Sequence, residues 1–223
     1  MALNIAVDGP VGAGKSTAAR ELARRLGILH LDTGAMYRAV GLAALEAGAD
    51  MSDRTQIERV NASADVDVTF ENGTQRTLLN GRDVSKEIRS PEASSASSMV
   101  SVVGAVRAAM LERQRAIAEG TDAVLDGRDI GIRVLPRARF KFYLTASAEI
   151  RARRRMDEMR AKGVDLEFER VLADVKERDL RDSTRDIDPL RPAEDAIVID
   201  TSDMTLEEVV ERMLEIVRHK DRL

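Results

Sequence analysis

The hydrophobic positions of this chain fall into two patterns that follow each other in turn. Short, uninterrupted apolar runs predict buried strands, whereas apolar residues spaced three and four apart predict helices with one buried side. The predicted strands cover residues 3–7, 28–31, 123–125, 140–144 and 196–199. Because strands that alternate with helices form parallel sheets, we expect an α/β fold with helices on both faces of the sheet.

The predicted helices are bounded by residues that start and stop helices. They cover residues 16–26, 33–47, 91–120, 149–163 and 167–185. Gly27 and Gly48 end the first two, and Asp32 or Thr33 caps the second. Gly104 marks a break or a start within the third and longest helix.

Residues 63–90 instead show the alternation of apolar and polar residues that is typical of a small antiparallel β-meander. Apolar and polar residues alternate from Val66 to Phe70, and two Asn-Gly pairs, at 72–73 and 80–81, are turn signals. This stretch is too short for a core of its own, so we interpret it as a flap on the main body. The predicted organisation is a single domain, 1–223, with a core at 1–62, 91–148 and 186–223, the insert at 63–90 and a helical lid at 149–185.

The turn after the first predicted strand carries a phosphate-binding sequence. The pattern of Gly, four residues, Gly-Lys and then Ser or Thr is complete, and a strand and a helix flank it as the motif requires. Glycines let backbone N–H groups turn toward one anion, and the following helix adds the positive end of its dipole. Lys15 would add a charge near the β and γ phosphates, and the Ser16 hydroxyl would ligate Mg2+ held mostly by the nucleotide phosphates. The predicted ATP-type site comprises Gly9, Pro10, Val11, Gly12, Ala13, Gly14, Lys15, Ser16 and Thr17 in a P-loop NTPase-type parallel sheet.

Other charged residues follow the predicted strands. Ligands of such sheets bind beyond the carboxyl ends of the strands, where Gly9, Asp32, Asp126 and Arg128 would gather. The phosphate loop alone does not distinguish a GTPase, an ATPase motor and a small kinase. A regulatory GTPase would need an Asn-Lys-x-Asp sequence, which does not occur in this chain.

The composition narrows the classes of partner. The 223 residues include 35 Lys and Arg against 39 Asp and Glu, a net charge of -4, so no global field attracts nucleic acid or an anionic membrane. The chain has no cysteine, which removes disulfides, thiolate metal sites and cysteine nucleophiles. No apolar stretch has the length of a membrane span and the N-terminus enters a strand at once, so we expect a cytoplasmic protein that binds neither membrane nor nucleic acid.

The second lid helix carries charges where its apolar stripe should continue. Arg178 lies three residues after Val175, Asp182 lies seven after it, and Arg185 lies seven after Arg178. An Arg-Asp-Arg set that points into a cleft suits a phosphate group. The alternative is that the helix ends near Leu180 and that these charges are solvated.

The first lid helix is rich in basic residues. A solvated helix face is the better interpretation for most of them individually, but Arg154 and Arg155 are candidates to close over a nucleoside triphosphate. The basic residues are Arg151, Arg153, Arg154, Arg155, Arg160 and Lys162.

These features favour phosphoryl transfer to an acceptor that is itself a phosphate. Such an acceptor needs no general base because the attacking oxygen is already ionised, so positioning and charge neutralisation supply the catalysis. The absence of cysteine and the presence of only two histidines, neither near a motif, agree with that chemistry.

Three stretches beyond the phosphate loop carry a resemblance to a known family. They are Leu31-Asp32-Thr33-Gly34-Ala35-Met36-Tyr37-Arg38, Asp126-Gly127-Arg128-Asp129-Ile130-Gly131, and Glu177-Arg178-Asp179 with Arg181 and Asp182. In this order, over essentially the whole chain, they resemble bacterial cytidylate kinase. The insert is similar to the enlarged monophosphate-binding region that sets this family apart from the shorter adenylate and UMP/CMP kinases.

The resemblance implies transfer of the γ-phosphate of ATP to CMP or dCMP with Mg2+, as a step of pyrimidine metabolism. The residues that it implies hold the acceptor phosphate are Arg38, Arg128 and Arg178. Those implied to contact the cytosine or the sugar are Thr33, Ser98, Arg107, Asp129, Asp182 and Arg185. Arg154 would meet the phosphates of ATP, so that the implied catalytic residues are Lys15, Arg128, Arg154 and Arg178.

Two alternatives to this reading remain at the level of the sequence. Another nucleoside monophosphate kinase would accept AMP or UMP, and a nucleic-acid-binding protein would be retained on DNA or RNA in a salt-dependent way. The balance of charges disfavours the second. We expect a monomer that binds its two nucleotides.

Overall fold

The computed structural model describes residues 2–161 and 163–220, without the side chain of Lys220. Lys162 of the predicted lid, and the ends of the predicted domain at 1 and 221–223, lie outside the described residues. The strands are β1 (Asn4–Asp8), β2 (Leu29–Asp32), β3 (Val66–Glu71), β4 (Thr74–Leu79), β5 (Arg82–Asp83), β6 (Ala123–Gly127), β7 (Phe140–Thr145) and β8 (Ile197–Asp200). The helices are α1 (Lys15–Leu26), α2 (Thr33–Glu46), α3 (Arg54–Ser63), α4 (Pro91–Val100), α5 (Gly104–Ala118), α6 (Ala148–Ala161), α7 (Phe168–Thr184) and α8 (Leu206–Lys220).

The main sheet has five parallel strands in the order β2-β6-β1-β7-β8. Two buried clusters lie on its two faces, one built around α1 and α8 and the other around α2 and α5. Side chains of the central strands alternate between them: Ile5 and Val7 belong to the first cluster and Ala6 to the second. The predicted α/β fold is confirmed.

The first two helices begin and end as the sequence predicts. Gly27 follows α1 with a φ of 68°, a left-handed conformation that favours glycine, and its N–H bonds to the last turn. Asp32 caps α2 by accepting a hydrogen bond from the N–H of Ala35 at 3.0 Å.

The predicted long helix over residues 91–120 is two helices. α4 ends at Val100, α5 begins at Gly104, and the two axes meet at 103°. Gly104 therefore starts a helix. The short helix α3, in which Ile57 alone is buried, was not predicted from the sequence.

The insert forms a separate antiparallel sheet in the order β3-β4-β5, as its alternation predicts. Asn72 and Asn80, with φ of 50° and 52°, make the two turns together with the glycines that follow them. Val66, Val68 and Leu79 belong to the same apolar cluster as Met36 of α2, so the insert packs on the core through one face.

The second lid helix, α7, continues through Thr184, so the alternative in which it ends near Leu180 is wrong. Asp182 and Arg185 are 4% and 8% exposed, which places this set of charges on the inward side. The lid helices share a small apolar cluster of Ala152, Val171 and Val175.

Across the described ranges, no single helix is both long and apolar enough to cross a membrane. Only α4 and α5 taken together, as a bent pair, meet the criterion of length and composition.

Candidate active site

The phosphate loop joins β1 to α1 through three glycines with positive φ. The φ angles of Gly9, Gly12 and Gly14 are 147°, 77° and 80°. A Cβ on Gly9 would lie 2.0 Å from the carbonyl oxygen of Leu144 in β7, so no side chain fits at that position. The loop therefore depends on glycine both for its conformation and for its approach to the neighbouring strand.

Lys15 lies in the first turn of α1 and is 8% exposed. Its Nζ donates to the carbonyl oxygen of Pro10 at 3.3 Å. Burial, together with the positive charges of Arg128 and Arg178, lowers the pKa of Lys15 to about 7, although the carboxylate of Asp126 acts in the opposite direction. An anion in the loop would restore the charged form.

Ser16 belongs to a hydrogen-bonded chain that the sequence analysis did not identify. Its Oγ donates to Asp126 Oδ2 at 2.5 Å, and Asp126 Oδ1 lies 2.7 Å from Nε2 of His30. Asp126 and His30 are 2% and 8% exposed. The expectation that neither histidine lies near a motif is thus wrong for His30, which orients a carboxylate beside the phosphate loop.

A cleft of about 590 Å³ opens at the carboxyl edge of the sheet. The predicted site residues that line it are Val11, Gly12, Gly14, Lys15, Ser16, Thr17, Thr33, Arg38, Arg107, Arg128, Asp129, Arg178, Asp182 and Arg185. Those that do not line it are Gly9, Pro10, Ala13, Ser98 and Arg154. Most of the predicted residues, drawn from distant parts of the chain, are therefore brought together around one space.

Arginines gather in the middle of the cleft. Arg38 donates to Asp32 at 2.7 Å, and Arg128 Nε donates to Asp182 at 2.9 Å. Burial lowers the pKa of Arg178 to about 9, and the nearby charge of Arg128 acts in the same direction. Although burial acts to raise the pKa of Asp182, Arg128 and Arg178 hold it below its usual value.

A second charged group closes the far end of the cleft. Arg107 donates to the carboxylates of Asp129 and Asp188, and Arg185 Nε donates to the carbonyl oxygen of Asp188 at 2.6 Å. Asp188 has a φ of 51°, and its carboxylate also pairs with Arg133 at 2.9 Å. Its role in holding Arg107 and Arg185 was missed, because no motif marks it. Burial raises the pKa of Asp129 even though Arg107 and Arg185 act against the shift.

Three buried donors that line the cleft have no hydrogen-bond partner within residues 2–161 and 163–220. They are Nε of Arg178, Nη2 of Arg185 and Nε2 of Gln114. A buried donor without a partner costs about 1–3 kcal/mol, so such groups call for a ligand or water that accepts from them. Because all three residues line the same cleft, this cleft suits a molecule rich in acceptors.

Two of the predicted residues point elsewhere. Ser98 is 3% exposed and its Oγ accepts from Arg181 at 2.9 Å, while its neighbours Ser94, Ser97 and Ser101 line the cleft. Arg154 turns toward Thr201 and donates to its hydroxyl and carbonyl oxygens at 3.0 and 2.6 Å.

The arginines of α6 differ in direction. Arg155 lines the cleft, as its selection as a candidate requires. Arg151, which was not among the selected candidates, is 5% exposed and donates to the Val11 carbonyl oxygen at 3.1 Å and to Asp179 at 2.9 and 2.6 Å. It thus links the phosphate loop to both lid helices.

The oxygen atoms of Ser16 and Asp126 fit a site for Mg2+. Both are hard oxygen ligands, and they lie close enough to share one ion or its bound water. Groups of three or more His, Cys, Asp or Glu that could hold a metal are absent from the part of the chain that the structure describes. The pair therefore suits an ion that is carried mainly by the phosphates of a nucleotide.

The parallel sheet, the phosphate loop at its edge and the arginine-lined cleft define a P-loop kinase. The family model for cytidylate kinase matches residues 5–219. The chain belongs to the cytidylate kinase family, whose members are nucleoside monophosphate kinases, and it is therefore a transferase.

Individual relatives agree with this assignment. Cytidylate kinases of Caldanaerobacter subterraneus and Carboxydothermus hydrogenoformans are 49% and 48% identical to this chain, over 98% of it and 96% and 99% of their own lengths. That of Vibrio cholerae is 45% identical over 97% of this chain and 96% of its own. Among solved structures, shikimate kinase from Acinetobacter baumannii covers 99% of this chain and 95% of its own at 17% identity, with a TM-score of 0.47, too low to bear on the fold.

Proposed function

We propose that this protein transfers the γ-phosphate of ATP to CMP or dCMP, giving ADP and CDP or dCDP, by direct in-line transfer. The observation that carries the proposal is the cleft itself. One end is a phosphate loop, the other is a wall of buried arginines and aspartates, and the two ends share one space. The curated relatives are named cytidylate kinases, which supports CMP as the acceptor.

In this proposal the phosphate loop binds the donor. Backbone N–H groups of the loop and Lys15 hold the β and γ phosphates, and Arg155 closes over them from α6. Arg154, which bonds to Thr201, would reach the phosphates only after a change of rotamer. When bound, Mg2+ neutralises charge on the phosphates, with Ser16 and Asp126 as its protein-side oxygens.

The arginines in the middle of the cleft bind the acceptor phosphate. Arg38, Arg128 and Arg178 converge there, and the free Nε of Arg178 is available to a phosphate oxygen. No histidine or carboxylate has to remove a proton, because the acceptor oxygen is ionised. Orientation and charge neutralisation then lower the barrier.

The far end of the cleft suits the cytosine and its sugar. Cytosine offers an amino donor beside ring and carbonyl acceptors, and Arg107 with Asp129 presents the complementary donors and acceptor. Asp182 bonds to Arg128, and Arg185 lies 3.7 Å from Asp129, so we assign these two residues, with Thr33 of the same cleft, to the ribose. Ser98 would act on the base through Arg181 or after rotation, because its hydroxyl does not face the cleft.

The remaining parts of the proposal concern the setting of the protein. We propose a monomer that acts in the cytoplasm, with ATP and CMP or dCMP as its binding partners and with no nucleic-acid or membrane partner. The chain is proposed to act as a single kinase domain that consists of the core, the insert and the lid.

The acceptor can be identified by measuring ADP release with CMP, dCMP, UMP and AMP at equal concentrations. We expect CMP and dCMP to be the best acceptors. Preference for AMP or UMP would replace this proposal with another nucleoside monophosphate kinase activity.

A further inference from the structure

At one residue of the outer edge of the main sheet, a side chain of the insert makes hydrogen bonds to the free backbone groups. β2 is an edge strand, paired with β6 only on its inner side. At Asp32, the last residue of β2, the N–H donates to Oε1 of Gln75 at 2.7 Å and the carbonyl oxygen accepts from Nε2 of Gln75 at 3.2 Å. One amide side chain thus replaces the backbone partner that a further strand would supply.

Gln75 is itself held in place within the insert. Its Nε2 also lies 3.2 Å from Oγ1 of Thr77, which is 2% exposed, and the N–H of Thr77 donates to Oγ of Ser85 at 2.9 Å. Gln75 pairs with Phe70 across the β3-β4 ladder. The orientation of the amide is therefore fixed by the small sheet from which it projects.

The side chain of Asp32 connects the hydrogen bonds of Gln75 to residues of the cleft. One oxygen caps α2 through the N–H of Ala35, and the other accepts from Arg38 Nη2 at 2.7 Å. Space around this pair is restricted, because a Cβ on Gly34 would lie 3.1 Å from Asp32 and 3.2 Å from Arg38. A shift of the Asp32 backbone would consequently displace the Arg38 guanidinium.

We propose that Gln75 is a positioning residue for the acceptor phosphate, which it affects through Asp32 and Arg38. This inference rests on the proposed function, in which Arg38 binds that phosphate. The insert then does more than pack on the core: it fixes the direction of one phosphate ligand.

The test compares Gln75→Leu with the wild type in binding of CMP, cytidine and ATP by calorimetry. We expect affinity for CMP to fall about 5- to 15-fold, equivalent to one or two lost hydrogen bonds. Affinity for cytidine, which lacks the phosphate, and for ATP should stay within about twofold. Arg76→Leu, next in the same strand and held by exposed ion pairs, is the matched control and should leave all three unchanged.

A double-mutant cycle with Arg38→Met separates positioning from general weakening of the insert. The effect of Gln75→Leu on CMP affinity should largely disappear in the Arg38→Met background. Equal losses in both backgrounds, or equal losses for CMP and cytidine, would overturn the inference. If Gln75→Leu does not fold, Gln75→Met, which keeps the chain length without the amide, is measured in its place.

The same experiment distinguishes failure of this inference from failure of the proposed function. Wild-type protein that binds and phosphorylates CMP, with a Gln75→Leu variant of unchanged CMP affinity, would refute the role of Gln75 alone. Wild-type protein that does not bind CMP would refute both.

Discussion

At the scale of single residues, the cleft contains positive charges that are unfavourable in the absence of a bound anion. Desolvation and the charges of Arg128 and Arg178 disfavour the charged form of Lys15, and desolvation and the charge of Arg128 disfavour that of Arg178. A triphosphate and a monophosphate bring the negative charge that this group lacks. In the proposed function, binding of the two nucleotides therefore relieves this repulsion.

Lys15→Ala tests the donor end of the cleft. Loss of the charge on the β and γ phosphates should lower kcat at least 10²–10³-fold, a magnitude typical for removal of one transition-state contact. CMP binding, measured by calorimetry, should change little because Lys15 is assigned to the donor. Near-normal turnover would show that the loop does not hold the transferred phosphate.

The low pKa of Lys15 predicts a pH dependence of ATP binding. With a pKa of about 7 in the free protein, Lys15 is mostly neutral at pH 8.5. Bound phosphates raise that pKa, so binding takes up a proton, and ATP affinity should fall as pH rises above about 7. Calorimetry at pH 8.5 in two buffers of different ionisation enthalpy measures the uptake. The same measurement on Lys15→Ala should show none; uptake that persists would assign the proton to another group.

Asp129→Ala tests the reading of the base. The substitution removes the carboxylate that holds Arg107 and leaves two arginines without this partner. We expect the KM for CMP to rise and the preference for CMP over UMP, measured as kcat/KM, to fall at least about 10-fold. An unchanged preference would mean that Asp129 supports the pocket without reading the base.

Most of these residues could be predicted from the sequence because they lie in contiguous motifs or on a helical stripe. Asp126 with His30, and Arg151 with Val11, could not, since these contacts join residues 96 and 140 positions apart and depend on strand register and helix packing. Periodicity also did not decide which of several arginines in α6 faces the cleft, so Arg154 was selected although its side chain lies against Thr201.

At the scale of elements, α6 and α7 act on the phosphate loop through their packing. Val11 of the loop contacts the small apolar cluster of the lid, and a Cβ on Gly12 would lie 2.9 Å from the Cβ of Arg151. The loop and the lid are therefore in direct contact at two points. A change in lid position would therefore affect the backbone of the phosphate loop.

Arg151→Met should weaken both the lid and the donor site. Removal of one partner from a largely buried ion pair costs about 3 kcal/mol, which for a domain of this size lowers the Tm by about 6–12 °C. The KM for ATP should rise more than the KM for CMP. Differential scanning calorimetry and steady-state kinetics measure the two effects. Arg153→Met, which removes only a contact with the ring of Phe168, is the control and should change the Tm much less.

Comparison of the insert with the α4–α5 bend shows where the sequence pattern is not enough to predict an element. The insert was predicted because period-two alternation and Asn-Gly turns are local signals. For Gly104, the sequence allowed either a break within one helix or the start of a new one. The Ser-rich and Ala-rich stretch around it fits a helix on either side. The bend is fixed by tertiary packing of both helices against α2, which no local pattern encodes.

At the scale of the whole molecule, the cleft is formed by three parts of the chain. The core supplies the phosphate loop, the insert holds Asp32 through Gln75, and α7 of the lid supplies Arg178 and Asp182. These parts meet only when the chain has folded, which is why the sequence predicts the residues of the site better than their partners. The proposed reaction requires that both nucleotides occupy the cleft at once, with their phosphates facing each other.

Inhibition by adenosine and cytidine joined through five phosphates tests that requirement most directly. Such a molecule carries both nucleosides and enough phosphate to span the loop and the arginines. We predict competitive inhibition against ATP and also against CMP, with an inhibition constant below the dissociation constant of either substrate. Competition with only one of the two nucleotides would contradict a single cleft that aligns donor and acceptor.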